Sequence, residues 1–286
     1  MARVVYCGGE FVAENEAKLS LFDRGFLFGD AVYEVTAVIG GKMVDNHLHL
    51  ARLERSLSEL SIPMPLSREE IETIQLALIE KNALVEGTVY LQVSRGAEDR
   101  DFLYSDGLEP TFIAFTQVKN LLGSKGQKQG LSVNLVEDPR WERRDIKTVM
   151  LLGQVMAKRQ AKATGFDDTW FFEDGAITEG ASSTAFIVTH DRRIITRGNS
   201  KAILPGCTRA ALLKLCSAHD VVLEERPFTI AEAQGAAEAF QTSATSLVTP
   251  IVRIDDVSLN GGVPGPVTRQ LQAYYLETVN MPKAAG

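Results

Sequence analysis

The chain of 286 residues has the composition of a folded protein, with 45% hydrophobic and 23% charged residues, which excludes a disordered chain. Its formal net charge of −7 and the lack of a long basic run argue against nucleic acid as a partner. It has no run of roughly 18 apolar residues and no signal-peptide pattern, and its three cysteines form no CxxC pair. These features predict a cytoplasmic protein that has no membrane partner and no disulfide framework.

Glycine pairs separate β-forming stretches in the first part of the chain. Gly8-Gly9 and Gly40-Gly41 each lie between two such stretches, and glycine tolerates the positive φ angles of two-residue hairpin turns. Two longer apolar stretches follow at residues 87–95 and 111–118. The pattern predicts two hairpins and a further pair of strands.

Two amphipathic helices are predicted between these strands. The first, which Asp45 or Asn46 would cap, carries leucines at steps of three and four, so one apolar stripe is buried. The second begins at Ser67, and Glu70 three residues later gives the spacing of a capping box. Residues 1–119 are therefore predicted to form a small α+β domain.

The middle of the chain has the composition of a linker. Residues 120–130 contain three glycines, two lysines and two glutamines without periodicity, and they predict a connection between domains. Residues 131–286 then carry the signals of a larger domain. In that domain, strands are predicted at residues 131–136, 168–172, 184–189, 193–196, 221–225, 239–242 and 247–254, and helices at 149–163, 208–218 and 267–279.

The common short motifs of enzyme active sites are absent. The chain has no P-loop, dinucleotide-binding, zinc-protease or nucleophile-elbow motif. His47 and His49 stand two residues apart, so on a helix they point in different directions. No metal site is predicted.

Three isolated features indicate chemistry, and each also has a plainer explanation. Lys147 precedes an apolar run, where lost hydration favours the neutral, nucleophilic amine, although a lysine at a helix start often only snorkels. Residues 206–209 open a helix, whose free N–H groups suit a phosphate or simply begin the helix. Glu179 follows a predicted turn and is by itself typical of a solvated loop.

Five blocks in this order resemble the fold-type IV transaminases that use pyridoxal 5'-phosphate (PLP), and most nearly the D-amino-acid transaminases. The blocks are residues 22–34, 49–53, 145–153, 178–183 and 206–209. The resemblance covers nearly the whole chain. It implies a mixed α/β (α+β) fold with a small N-terminal α+β domain and a larger C-terminal, β-barrel-like domain with helices. It also implies a homodimer with shared active sites.

The resemblance implies a role for particular side chains. Lys147 would be the Schiff-base lysine and proton shuttle, Glu179 would pair with the pyridine nitrogen, and Leu204 would pack against the cofactor ring. The residues implied for the 5'-phosphate are Arg52, Cys207, Thr208, Ala244 and Thr245. The residues implied for the substrate are Tyr33, Tyr90 and Arg100.

Two departures from the family pattern affect these roles. Ala244 stands where many relatives carry threonine, so one hydroxyl to the phosphate is missing and PLP affinity would fall. The D-amino-acid enzymes hold the substrate carboxylate with an Arg-x-His pair, whereas here Arg100 is followed by Phe102. Arg100 would therefore carry most of that recognition unless Arg24 shares it.

The sequence thus predicts a PLP-dependent enzyme that transfers the amino group of a D-amino acid such as D-alanine to 2-oxoglutarate or pyruvate. The alternatives that share the cofactor residues are an (R)-selective amine transaminase, a branched-chain L-amino-acid transaminase and aminodeoxychorismate lyase. A non-catalytic module for a phosphorylated ligand would keep Arg52 and Thr208, but it would need neither Lys147 nor Glu179. Their joint presence favours an enzyme.

Overall fold

The computed structural model describes residues 2–280. Its contacts divide the chain into two units, the first reaching Asn120 and also containing Ile146–Met150, the second containing the remainder. Among the described residues, no helix is long and apolar enough to cross a membrane.

The first unit is a six-stranded antiparallel sheet with helices packed on one face. Its sheet has the strand order β2-β1-β6-β5-β3-β4. The elements of this unit are β1 (Val4–Cys7), β2 (Glu10–Ala13), α1 (Arg24–Phe28), β3 (Ala31–Ile39), β4 (Lys42–Met43), α2 (Asn46–Glu59), α3 (Arg68–Lys81), β5 (Glu86–Ser94) and β6 (Thr111–Val118). Strand β5 pairs with both β3 and β6, so it lies inside the sheet.

Local sequence signals account for most of this unit. Gly8 and Gly9 form the β1–β2 turn with φ angles of 64° and 86°, which confirms the predicted hairpin. The leucine stripe of α2 is buried in a core with α3 and the sheet, as its spacing predicts. Ser67 and Glu70 form the predicted capping box.

The N-cap position of α2 is as predicted, but no side chain caps the helix there. Asp45 occupies the N-cap position in the left-handed region at φ 52°, and its side chain makes no cap hydrogen bond to this helix. The Asn46 side chain hydrogen-bonds Thr36 and Gln75 inside the unit. Asn46 is used in this way because the buried polar groups of β3 and α3 need partners.

The second unit is built on a nine-stranded mixed sheet. Its elements are α4 (Lys125–Gln129), β7 (Leu131–Glu137), α5 (Leu152–Ala163), β8 (Asp168–Glu173), β9 (Ala176–Gly180), β10 (Thr184–Val188), β11 (Ile194–Thr196), α6 (Cys207–Ala218), β12 (Leu223–Glu225), α7 (Ile230–Gln234), β13 (Glu238–Ser243), β14 (Leu247–Ile254), β15 (Val257–Ser258), a 3-10 turn (Asn260–Gly262) and α8 (Pro266–Asn280). The strands run in the order β12-β11-β10-β13-β14-β7-β8-β9, and β15 pairs with β14. A bridge from Gly180 to Ser183 brings the end of β9 back beside the start of β10, so this sheet curls.

The structure differs from the sequence predictions at three points in this unit. Helix α5 begins at Leu152, three residues later than predicted, and strand β9 and helix α7 were not predicted. Residues 120–130, which the composition indicates as a linker, contain the short helix α4, which Ser124 caps. The predicted domain limits, residues 1–119 and 131–286, remain a prediction.

A buried hydrogen-bond chain crosses the sheet of the second unit. The Trp170 indole donates to Gln241 at 3.0 Å, and Gln241 donates to Asp168 at 3.0 Å. Asp168 also pairs with Lys158 of α5 at 2.8 Å. Trp170, Gln241 and Asp168 therefore satisfy one another's buried polar groups, which avoids the cost of leaving these groups unpaired.

Glu238 caps helix α8 from a neighbouring strand. Its carboxylate accepts hydrogen bonds from the N–H groups of Val267 and Thr268 at 2.9 and 2.8 Å and from the Thr268 hydroxyl at 2.8 Å. A Cβ on Gly265 would lie 2.0 Å from the carboxyl carbon, so only glycine fits there. The negative charge also complements the positive end of the helix.

We expect Glu238→Ala to lower the free energy of unfolding by about 1.5–3 kcal/mol, because it leaves buried donors without an acceptor. Glu238→Gln retains one acceptor oxygen, so it should cost less. Urea unfolding of both variants checks this. Equal losses in the two variants would contradict this expectation, because they would show that the acceptor oxygen that glutamine retains stabilises nothing.

Candidate active site

Lys147 lies in a non-helical segment that is hydrogen-bonded to β3. Its carbonyl accepts a hydrogen bond from the Tyr33 N–H at 3.0 Å, and its own N–H donates to Ser56 Oγ at 3.3 Å. A β-bridge joins Val32 to Thr148. The predicted position at a helix start was therefore wrong, because hydrogen bonds to β3 hold these residues out of the helix, which begins at Leu152.

The Lys147 amine contacts a row of aromatic rings on the same sheet. Its Nζ lies 4.2 Å from the centre of the Tyr33 ring, a cation–π distance. Tyr33 stacks on Tyr90 with 5.6 Å between ring centres, and Tyr90 stacks on Phe115 at 4.7 Å. The structure thus brings together the lysine and both tyrosines that the sequence associates with the substrate.

Tyr90 keeps its hydroxyl proton at neutral pH. Burial raises the pKa of Tyr90, and the neighbouring Tyr33 raises it further. The hydroxyl donates to Gln92 Oε1 at 2.8 Å, and Gln92 lies directly opposite Tyr33 on the paired strand. This face therefore offers neutral hydroxyl and amide groups beside the amine.

Arg52 is held by a buried glutamate. Its Nε and Nη2 donate to Glu34 at 2.7 and 2.8 Å, and His49 Nδ1 lies 2.7 Å from Glu34 Oε2. Burial would raise the pKa of Glu34, but the Arg52 charge, its hydrogen bonds and His49 outweigh that effect and lower the pKa to about 2. Glu34, which also bonds His49, thus fixes the guanidinium of Arg52.

Sequence reasoning missed Glu34 as a site residue. Its signal was a polar residue between Val32 and Thr36, on the face of β3 that the leucine stripe of α2 covers. A carboxylate at such a position needs a cationic partner. His49 and Arg52 stand three residues apart on α2, which places both within reach of it.

Glu179 lies in strand β9 and is almost completely buried, so it is not the solvated loop charge that its local sequence alone indicates. Its Oε1 accepts from Arg140 Nη1 at 2.6 Å, and the Leu204 N–H lies 3.2 Å from both carboxylate oxygens. Burial raises the pKa of Glu179, and the Arg140 charge and the Leu204 N–H oppose this shift. The preceding turn at Asp174-Gly175 is present as predicted.

The start of helix α6 is open to an anion. Gly206 provides no side-chain cap, and the first hydrogen bond of the helix runs from the Ala210 N–H to the Gly206 carbonyl. The N–H groups of the first turn, which include those of Cys207 and Thr208, therefore have no acceptor within the helix. Such a terminus binds phosphate groups.

Two further details of the second unit fit a phosphate group. A Cβ on Gly206 would lie 2.7 Å from Thr184 Oγ1 of β10. The backbone at residue 206 is therefore so close to β10 that only glycine fits there. Thr242 pairs with Thr184 across the sheet, and its buried hydroxyl has no hydrogen-bond partner within residues 2–280. An unpaired buried hydroxyl is costly unless a ligand satisfies it.

Ala244 and Thr245 lie half-buried in the turn between β13 and β14. The Ser243 hydroxyl lies 2.7 Å from that of Ser246 and accepts from the Ser246 N–H at 3.1 Å, which closes the turn. Leu204, which was expected beside the cofactor ring, is also half-buried and bonds Glu179 through its backbone. Ala244, Thr245 and Leu204 therefore all lie half-buried in the second unit.

Arg100 is exposed and lies over two phenyl rings. Its guanidinium carbon is 5.3 Å from the Phe28 ring centre and 5.5 Å from that of Phe102. In the part of the chain that the structure describes, its contacts do not join it to Lys147 or to either tyrosine. The structure therefore does not bring the predicted carboxylate ligand to the aromatic face within one chain.

Arg24 does not share the task of Arg100. Its buried guanidinium bonds Asp30 at 3.1 Å and Glu98 at 3.2 Å. It also donates to the carbonyls of Asp101 and Phe102 at 2.7 and 3.3 Å. Arg24 thus fixes the loop that carries Arg100, and its donors are occupied.

The comparisons with known proteins identify the family. The model of the amino-transferase class IV family matches residues 31–254, which is more than half of the chain. The chain belongs to the class IV aminotransferases. The family predicted from the five sequence blocks is confirmed.

Two curated relatives match this aminotransferase over nearly its full length. The D-alanine aminotransferase of Staphylococcus aureus (strain N315) is 34% identical over 269 residues, which cover 94% of this chain and 95% of the relative. The D-alanine aminotransferase of Bacillus licheniformis is 35% identical over 268 residues, 94% of either chain.

Solved structures share the fold of this aminotransferase at low sequence identity. The branched-chain amino acid aminotransferase of Escherichia coli superposes with a TM-score of 0.92 at 21% identity and covers 100% of this chain and 98% of its own. A putative 4-amino-4-deoxychorismate lyase of Legionella pneumophila has a TM-score of 0.84 at 24% identity, over 92% and 96% of the two chains. The predicted fold class is confirmed.

The low pKa of Glu34 predicts acid sensitivity. Because the folded pKa of about 2 lies below the ordinary 4.5, the stabilisation is complete well above pH 4.5 and is lost as the pH falls toward 2. Between about pH 5.5 and pH 3.5 the wild type should lose about 1.4 kcal/mol more than Glu34→Gln.

Urea unfolding at the two pH values measures this difference. The control is Glu54→Gln, which changes an exposed glutamate of α2 and should follow the wild type. If Glu34→Gln loses as much stability as the wild type, the carboxylate does not titrate as described.

Proposed function

We propose that this aminotransferase uses PLP to transfer the amino group of a D-amino acid such as D-alanine to a 2-oxo acid such as 2-oxoglutarate or pyruvate. The observation that carries the proposal is the link between Glu179 and the start of α6. Leu204 bonds the glutamate, and Cys207 and Thr208 begin the helix three and four residues later. A protonated pyridine nitrogen needs a carboxylate as its partner, and a phosphate group needs the free N–H groups of a helix start.

The residues implied by the resemblance would hold the cofactor. Glu179 would accept the pyridine N–H, and Leu204 would pack against the ring. The 5'-phosphate would be bound by Arg52, the first-turn N–H groups and hydroxyl of Cys207 and Thr208, the Ala244 N–H and Thr245. The unpaired hydroxyl of Thr242 and the uncapped α6 terminus support this assignment.

When bound, PLP supplies an electron sink for the carbon that carries the amino group. Lys147 would hold the cofactor through Nζ, and the Lys147 amine, once the substrate has taken its place, would move a proton at the substrate Cα. Tyr33 would orient the amine through its ring face, which lies 4.2 Å away. Glu179 would favour the protonated pyridine nitrogen through its charge.

The substrate class rests on the curated relatives. Proteins named D-alanine aminotransferase match 94% of this chain at 34–35% identity, above the identity of the branched-chain enzymes that share the fold. A branched-chain L-amino-acid transaminase and aminodeoxychorismate lyase are therefore less well supported. An (R)-selective amine transaminase remains the second candidate, because Phe102 offers no donor to a carboxylate.

We also propose a homodimer with shared active sites in the cytoplasm. Leu21, Phe26, Phe102 and Leu103 each expose about three quarters or more of their surface. A cluster of exposed apolar side chains indicates an interface. In a dimer, Arg100 beside them would reach the site of the partner chain.

The three free, buried cysteines suit a reducing compartment.

Lys147→Ala should lower the transamination rate by at least about 100-fold, because the nucleophile and the proton shuttle are one group. The control is Lys162→Ala, which removes an exposed lysine of α5 and should retain the wild-type rate. Stopped-flow absorbance of the half-reaction with D-alanine measures both. A rate in Lys147→Ala within a few-fold of the wild type would contradict the proposed function.

Arg100→Ala should raise the KM for D-alanine and D-glutamate by about 10- to 150-fold, because a charge-assisted contact to the carboxylate contributes about 1.5–3 kcal/mol. The turnover of (R)-1-phenylethylamine, which has no carboxylate, should not fall. Steady-state kinetics with the three donors measure this split, and exposed Arg192→Ala serves as the control. Equal losses on all donors would indicate a structural role for Arg100.

A further inference from the structure

Arg140 lies between two buried carboxylates of the second unit. It donates to Asp138 through Nε and Nη2 at 2.8 and 2.6 Å, and to Glu179 through Nη1 at 2.6 Å. The Arg140 side chain is 8% exposed, that of Glu179 5% and that of Asp138 0%. The guanidinium also lies 4.9 Å from the Phe171 ring centre.

Asp138 prevents the guanidinium from turning away. It accepts two side-chain bonds and the backbone N–H of Arg140, and its second oxygen also accepts from the Thr178 hydroxyl at 2.9 Å. Thr178 is the neighbour of Glu179 on β9. The arginine is therefore anchored to the same strand that carries the glutamate.

Glu179 depends on Arg140 more than Asp138 does. Asp138 and Glu179 share the guanidinium of Arg140. Asp138 is also approached by Arg144 at 3.4 Å, whose two terminal nitrogens bind Glu173, a side chain that is 44% exposed. Arg140 is therefore the guanidinium that bonds Glu179.

The bonds to Glu179 leave one oxygen open to a further cation. Oε1 is bonded to Arg140 Nη1, whereas within residues 2–280 Oε2 has the 3.2 Å contact to the Leu204 N–H and no bond to a cation. A buried carboxylate without a cationic neighbour takes up a proton and becomes a donor itself. A protonated Glu179 could not accept the N–H of a pyridinium ring.

We propose that Arg140 is a positioning residue that keeps Glu179 ionised and turns Oε2 toward the pyridine nitrogen, which rests on the proposed function. Arg140 itself touches neither substrate nor cofactor in this role. The ionised carboxylate of Glu179 would complement the positive charge of a protonated pyridine. Loss of the arginine removes this complementarity, although every residue implied by the sequence resemblance is still present.

The ionisation of Glu179 is measured on the cofactor-free protein by infrared pH titration. The band of the protonated carboxylic acid is assigned as the one that Glu179→Gln removes. In Arg140→Gln the midpoint of this band should rise by about 1–3 pH units, the effect of removing a guanidinium beside a carboxylate. Arg140→Lys keeps the charge but not the two-sided bonding, so its midpoint should rise less.

Arg144→Gln is the matched control. It removes a second buried arginine that contacts Asp138 but has no bond to Glu179, so it should leave the midpoint of Glu179 unchanged. Far-ultraviolet circular dichroism verifies that each variant is folded. The visible spectrum of the PLP-loaded variants then shows whether the pyridine nitrogen loses its proton in Arg140→Gln and retains it in Arg144→Gln.

The two proposals fail in different ways. If Arg140→Gln and Arg140→Lys leave the midpoint of Glu179 at the wild-type value, or Arg144→Gln shifts it equally, the role of Arg140 is overturned. If the midpoint shifts only in the Arg140 variants while the wild type binds no PLP, the proposed function fails and the control of Glu179 by Arg140 stands.

Discussion

An ionised carboxylate inside a protein requires cations and N–H donors around it, and both units of this aminotransferase are arranged to supply them. Glu34 is completely buried in the first unit and is bonded by Arg52 and His49. Glu179 is buried in the second and is bonded by Arg140 and Leu204. Without these partners, each carboxylate would destabilise its unit by several kcal/mol or take up a proton.

The two carboxylates differ because their surroundings differ. Glu34 has bonds to a guanidinium at both oxygens, and its pKa falls to about 2. Glu179 shares its guanidinium with Asp138, and burial holds its pKa above the ordinary value. The first arrangement fixes an arginine, whereas the second leaves a carboxylate that can accept one more charged donor. The same side chain therefore has a structural use in one unit and a chemical use in the other.

Features that depend on neighbouring residues were predictable from the sequence. The capping box at Ser67, the turn at Gly8-Gly9 and the leucine stripe of α2 need only local spacing, and the structure contains all three. The family resemblance added the expected fold and the blocks that contain Lys147 and Glu179, which no local pattern distinguished from a snorkelling lysine and a loop residue.

Features that depend on distant residues were not predictable. The chain around Lys147 is not helical because it bonds β3, more than a hundred residues earlier, although its apolar run alone favours a helix. Strand β9 is a five-residue segment after a turn, and its pairing with β8 buries Glu179. Arg140 follows a strand without any motif, and only the folded chain shows which carboxylates it joins.

The attachment of Lys147 to β3 places the reactive amine under the control of sheet register. Tyr33 holds this lysine twice, through its backbone N–H and through its ring. Successive residues of a strand face opposite sides, so a slip of one residue along β3 would turn Tyr33 toward the helices and Glu34 toward the amine. In an α-helix the same slip would turn a side chain by about 100°, whereas in a strand it reverses the side chain to the other face. The distant Gly40-Gly41 turn, which sets the end of β3, therefore helps to determine where the amine lies.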